Sequence, residues 1–197
     1  MKKSPDSEAL RPFFTAGVRE WVLLLLSGGL LWAAVALLGR FSNAFVARDA
    51  TYYPVLTSLV APAFIVAGLR GSGRWGGAAV AGLTFTGFFL GVGRVAPSLL
   101  VVPALGVDCW YAYRGHTRGP GGAVMAGFLF AWVFYAVEAA STRWLAGSGW
   151  PCEELLGGLL FTLLAGMVSA LAGYFLGGLV RRASAPLPSP LPQRGRG

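Results

Sequence analysis

Leu155–Val180 reads LLGGLLFTLLAGMVSALAGYFLGGLV, twenty-six residues without a charge, stopped by Arg181-Arg182. About 20 consecutive apolar residues suffice to cross the roughly 30 Å hydrocarbon core of a bilayer. The run is apolar on every face, so it has neither the period-two alternation of a barrel strand nor the polar stripe of a helix on a soluble core. In lipid each backbone N–H and C=O must find its partner within the segment, which makes this stretch a transmembrane helix.

Working outward, five further apolar segments reach spanning length: Trp21–Gly39, Tyr53–Leu69, Trp75–Gly93, Val95–Tyr113 and Gly122–Ser141. Only Arg94 divides the third from the fourth, and Gly91, Gly93 and Pro97 around it favour a turn. So short a connection predicts an antiparallel hairpin. The expected fold is all-α: a polytopic membrane bundle of six transmembrane helices. The domain layout is a 1–20 cytoplasmic segment, a 21–180 helical domain and a disordered 181–197 tail with four prolines and four arginines. Whole-chain composition agrees, since 55% of the 197 residues are hydrophobic and only 12% charged. Soluble domains carry about twice that charge.

Orientation follows from the sixteen basic residues. Lys2, Lys3, Arg11, Arg19, Arg70, Arg74, Arg114, Arg118, Arg181, Arg182, Arg194 and Arg196 fall on one side of a six-span thread, and Arg40, Arg48, Arg94 and Arg143 on the other. Twelve against four places the first set, and both termini, in the cytoplasm by the positive-inside rule. The expected location is the cell (inner) membrane, as a multi-pass protein. Trp21, Tyr53, Trp75, Trp110 and Trp144 near the proposed boundaries read as interfacial belts. The net charge of +8 thus has a topological explanation, and no nucleic-acid partner is expected.

Ahead of the first span, Leu10, Phe13, Phe14, Val18 and Trp21 recur at helical spacing. They predict either a short interfacial helix or a ragged start to the span itself. The first apolar run is longer than a signal-peptide core, so it is expected to stay uncleaved.

Helices in lipid associate through small residues that let backbones approach. Spacings of four occur at Gly29/Ala33, Gly77/Ala81, Ala78/Gly82, Gly87/Gly91, Gly127/Ala131, Gly166/Ala170 and Ser169/Gly173/Gly177. These place the glycine-rich third and sixth helices against neighbours. Pro62 and Pro103 fall inside spans, where proline removes a hydrogen bond and can free a carbonyl for a ligand or simply kink the helix.

Ionisable groups inside a span are costly and therefore mark candidate sites. Two acids qualify. Asp108 lies about one turn inside the cytoplasmic end of the fourth span, where it either binds a polar ligand or pairs with Arg114 or Arg118. Glu138 lies near the outer end of the fifth, where Arg48, Asp49, Arg94, Arg143, Glu153 and Glu154 complete either an outward polar cluster or a solvated rim. The candidate ligand or polar-cluster set is thus Glu138, Asp108, Arg48, Asp49 and Arg94, with no catalytic or metal-binding residue named. The single histidine, His116, sits in a loop, so a histidine-rich metal centre and an intramembrane Ser–His pair are excluded. Cys109 and Cys152 fall on opposite sides of the bilayer, too far apart for a disulfide. Glu153-Glu154 lacks the histidine motifs and basic residue that accompany the double glutamate of membrane CAAX-type proteases. No phosphate-binding loop is present. No cofactor is expected; enzymatic activity stays open only as carboxylate chemistry at a residue such as Glu138, and the missing partner groups weigh against it.

In length, span count and want of catalytic residues, the chain resembles the substrate-binding membrane subunits of energy-coupling-factor vitamin transporters, over the whole chain in general shape and without a matching motif. That resemblance implies a small-solute transport component with a cytoplasmic ATPase as partner. A second expectation, from the small-residue faces, is a non-catalytic accessory or assembly subunit bound to another membrane subunit. The lipid bilayer is the partner common to both.

Overall fold

The computed structural model describes residues 11–12, 16–45, 52–91, 100–114, 119–146 and 152–183. Six helices occur among them: α1 (Val18–Phe45), α2 (Tyr52–Ser72), α3 (Gly77–Gly91), α4 (Val101–Arg114), α5 (Pro120–Ala146) and α6 (Cys152–Ala183). Every expected apolar segment contains one. Segments of α1, α2, α5 and α6 (Val18–Leu38, Val55–Ser72, Pro120–Ser141 and Leu155–Ala183) are long and apolar enough to cross a membrane. The chain therefore has the make-up of a membrane protein. The described parts of α3 and α4 rise only about 22 and 21 Å at 1.5 Å per residue, less than one full crossing needs.

Two short strands complete the order. β1 (Arg11–Pro12) pairs in parallel with β2 (Arg74–Trp75). Arg11–Pro12 are extended backbone and α1 begins at Val18; the rest of residues 1–15, on which an interfacial helix would fall, and the tail 184–197 lie outside the described residues. Glu20 supplies half of a capping box at the start of α1. Gly17 accepts the first helical bond from Trp21 N–H (3.1 Å), and Glu20 reaches back to the Gly17 N–H (2.7 Å).

The pairs α3–α4, α4–α5 and α5–α6 run antiparallel, while α2 and α6 run parallel and form the most extensive pair. Small residues permit this closeness. A Cβ on Gly173 would collide with the Ala63 carbonyl, and one on Gly177 would lie 2.9 Å from that of Ala67. Between α5 and α6, Gly127 and Gly166 each face the other's carbonyl, with Ala131 and Ala170 alongside. Between α3 and α4, Gly82 faces Ala104 and Val101. The Gly127/Ala131, Gly166/Ala170, Ser169/Gly173/Gly177 and Ala78/Gly82 spacings all lie at such contacts. On α1 the close approach falls at Gly28, against Ala81 and Thr84, rather than at Gly29.

The central element is α2, the most buried of the long helices, and not α6, whose outward face exposes Leu160, Phe161, Leu164, Val168 and Phe175. Pro62 sits inside α2. A proline ring displaces the preceding turn, and the adjacent Ala63 N–H donates to Ser169 Oγ of α6 at 3.0 Å. One apolar cluster draws on all six helices, among them Leu31, Ile65, Phe85, Val107, Tyr111, Phe130, Phe134 and Ala170.

Candidate functional site

Asp108 is held almost wholly out of solvent, at 5% exposure, on the inner face of α4. It belongs to the start of α3. That helix opens at Gly76, whose carbonyl accepts from Val80 N–H at 3.1 Å and whose φ is +86°. Glycine at this position has no side chain with which to cap the first turn. The Asp108 carboxylate supplies the cap from another helix: Oδ1 accepts from Gly76 N–H (2.9 Å) and Ala78 N–H (3.2 Å), and Oδ2 from Ala79 N–H (2.6 Å). A negative charge at a helix N-terminus also meets the positive end of the helix dipole. None of these three partners is Arg114 or Arg118. Pairing with Arg118 falls on a residue outside those described.

Glu138 lies in the last third of α5, half-buried, at the opposite end of the bundle from Asp108. Its carbonyl accepts from Ser141 Oγ at 2.9 Å. One turn earlier Tyr135 donates its hydroxyl to the Leu155 carbonyl at 2.7 Å, tying α5 to the first turns of α6. The structure therefore keeps the two acids apart. Arg48, Asp49 and Arg94 lie outside the described residues, as do the side chains of Arg143, Glu153 and Glu154.

Sequence reasoning counted Arg74 only as a topology charge. The structure turns it inward, at 6% exposure, onto Glu20 of α1. Nε and Nη2 donate to the carboxylate at 2.8 to 3.1 Å, a forked ion pair that ties β2 to the first turn of α1. Arg70 donates Nη1 to the Tyr174 carbonyl (2.5 Å) with its guanidinium carbon 3.5 Å from that ring's centre. Arg114 lies 5.6 Å over Trp110, whose Nε1 donates to the Gly122 carbonyl at 3.1 Å. Three arginines at one end of the bundle thus fix helices internally. No signal in the sequence separated them from their exposed counterparts.

Buried polar atoms without a hydrogen bond among the described residues include Trp32 Nε1, Thr57 Oγ1, Ser58 Oγ and Tyr111 Oη. Thr57 and Ser58 are adjacent on α2, one turn before Pro62, in the register where proline displaces a backbone carbonyl.

No protein-family model matches this chain, and no curated protein or solved structure is significantly similar to it. The chemistry of the site therefore rests on its own side chains. Among the described residues no three of His, Cys, Asp and Glu converge as metal ligands. Two grooves open on the flanks. One, of about 470 Å³, lies between α3 and α4, with Trp21, Trp75, Leu83, Leu105 and the exposed Cys109 on its walls and Asp108 at its base. The other, of about 330 Å³, lies between α1 and α6 with α2 as its floor. Both are almost entirely apolar.

Proposed function

We propose that the chain is a multi-pass protein of the inner membrane, crossing six times with both termini in the cytoplasm, and that it serves as a non-catalytic accessory or assembly subunit of a membrane complex. The observation that carries this reading is the apolar cluster contributed by all six helices, with Phe85, Tyr111, Phe130 and Phe134 fully buried in it. Asp108, the better-defined intramembrane acid, supports it as well, because both oxygens of its carboxylate are already taken up in capping α3.

Six crossings are supported by the cost of the alternative. If α3 and α4 formed a re-entrant hairpin, the turn between them would place Arg94 within the hydrocarbon, at about 2.5–3.5 kcal/mol on insertion scales. Both threads keep the termini on the same side, so the orientation drawn from the arginine bias does not depend on the choice. Purification in mild detergent followed by native mass spectrometry tests the function. A stable complex with another membrane protein and no retained solute is the expected result. A co-purifying ATPase with a retained small solute would overturn it.

That outcome would favour the second reading, a small-solute transport component. Its support is the pair of buried hydroxyls on Thr57 and Ser58 together with Trp32 Nε1, donors that a polar ligand would satisfy. Under this reading Glu138→Gln, or Thr57→Val with Ser58→Ala, abolishes uptake while leaving the fold intact.

A further inference from the structure

The groove between α1 and α6 has a depth and a charge distribution that point to one occupant. Helices α1 and α6 both pack on α2 but scarcely touch each other, and the trough they leave is walled by Leu26, Leu30, Phe64, Ala67, Leu176 and Val180. Along α2 it runs from Ala63 to Gly71, about 12 Å at 1.5 Å per residue. That is close to one leaflet's share of a hydrocarbon core roughly 30 Å thick. Gly71 keeps the floor open at the arginine-bearing end, where a Cβ would approach Val180 at 3.4 Å.

Basic residues stand at that end and no other described part of the trough is charged. Arg19 precedes Leu23, Leu26 and Leu30 at spacings of four, three and four, which puts it on the groove's own stripe of α1, one turn beyond its end. Arg181 and Arg182 follow directly on Val180, and all three arginines are exposed. Basic residues bordering a gap between membrane helices recognise anionic headgroups.

We infer that this groove is a binding site for an anionic phospholipid, with one acyl chain lying along α2 and the headgroup phosphate among Arg19, Arg181 and Arg182. The inference goes beyond either functional reading and rests only on immersion of the bundle in lipid. Its failure would leave both readings standing.

Detergent-purified protein incubated with dioleoyl phosphatidylglycerol or dioleoyl phosphatidylcholine, then examined by native mass spectrometry, provides the test. The wild type should retain the anionic lipid about tenfold more than the zwitterionic one, a preference within reach of three basic side chains. Gly71→Leu fills the floor and should abolish retention of both lipids. Arg19→Gln with Arg181→Gln and Arg182→Gln should lower phosphatidylglycerol to the level of phosphatidylcholine. If Gly71→Leu does not fold, Ala67→Leu obstructs the same trough further along. Equal retention of the two lipids by the wild type, undiminished retention when the floor is filled, or a second copy of the chain occupying the groove would each overturn the assignment.

Discussion

Replacing Asp108 separates a structural acid from a ligand-binding one. Asp108→Ala removes the acceptor for three N–H groups at the first turn of α3. An unsatisfied buried donor costs about 1–3 kcal/mol, so three set a ceiling near 9 kcal/mol on the same scale. The first turn can fray toward the headgroup region and recover part of this, which brings the expected loss to about 3–5 kcal/mol. Asp108→Asn keeps one oxygen. Placed at Oδ1 it still accepts from Gly76 and Ala78, but it turns an amide NH2 toward the Ala79 N–H, for a loss of about 1–3 kcal/mol. Unfolding in mixed micelles by titration with sodium dodecyl sulfate measures the order wild type, Asn, Ala. Hydrogen exchange at residues 76–79 gives the local counterpart and should accelerate in step. A ligand-binding aspartate predicts the opposite pattern, with Asn matching the wild type in stability and losing binding. Unchanged exchange at 76–79 in the alanine variant would refute the cap.

Three further outcomes test the packing and the thread. Gly173→Ala and Gly127→Ala, each of which drives a Cβ into a carbonyl of the facing helix, should lower stability by about 1–3 kcal/mol, whereas Gly87→Ala and Gly157→Ala, with nothing within 4 Å, should be neutral or gain up to about 1 kcal/mol; the same micellar titration reads both. Ser169→Ala withdraws the acceptor of the Ala63 N–H and should cost about 1–2 kcal/mol, but distinctly less in a Pro62→Ala background, where α2 can close its own hydrogen bonds, so the double-mutant cycle should show coupling. A cysteine at position 94, in a chain with Cys109 and Cys152 replaced by serine, should react with an impermeant maleimide from the outer side of the membrane; failure to label from either side would favour a re-entrant α3–α4 hairpin.

The six helices were legible because lipid leaves an apolar segment few alternatives, and that constraint acts on each segment by itself. Boundaries were less so. The expected first span, Trp21–Gly39, is extended to Val18–Phe45; at its start the bond from Gly17 N–H to Glu20 makes a charged residue a normal part of the first turn. Small-residue spacing located the contacts of Gly127, Gly166, Gly173 and Gly177. It gave no means to choose Gly28 over Gly29, since either phase satisfies the pattern and only the partner's direction decides. It also singled out Gly87, which meets nothing within 4 Å. Of the site, scarcity alone singled out Asp108 and Glu138. What Asp108 does was hidden because its partners lie 29 to 32 residues earlier in the chain and are backbone groups, which carry no sequence signature. The Arg74–Glu20 pair spans 54 residues and was hidden for the same reason.

The basic residues carry two loads that a count of charges runs together. Arg70, Arg74 and Arg114 are engaged with Tyr174, Glu20 and Trp110, while Arg19, Arg181 and Arg182 are exposed. Topogenic bias acts during insertion, before any of these contacts exist, so both groups count equally toward it. On the proposed six-span thread, neutralising the exposed three lowers the bias from 12 against 4 to 9 against 4. That remains a clear excess on the same side. The triple variant Arg19→Gln, Arg181→Gln and Arg182→Gln should therefore insert in the wild-type orientation, as read by a reporter fused after residue 197, while losing its preference for phosphatidylglycerol. If the reporter instead moves to the outer side, the three arginines direct insertion, and the altered lipid retention of that variant no longer bears on the groove.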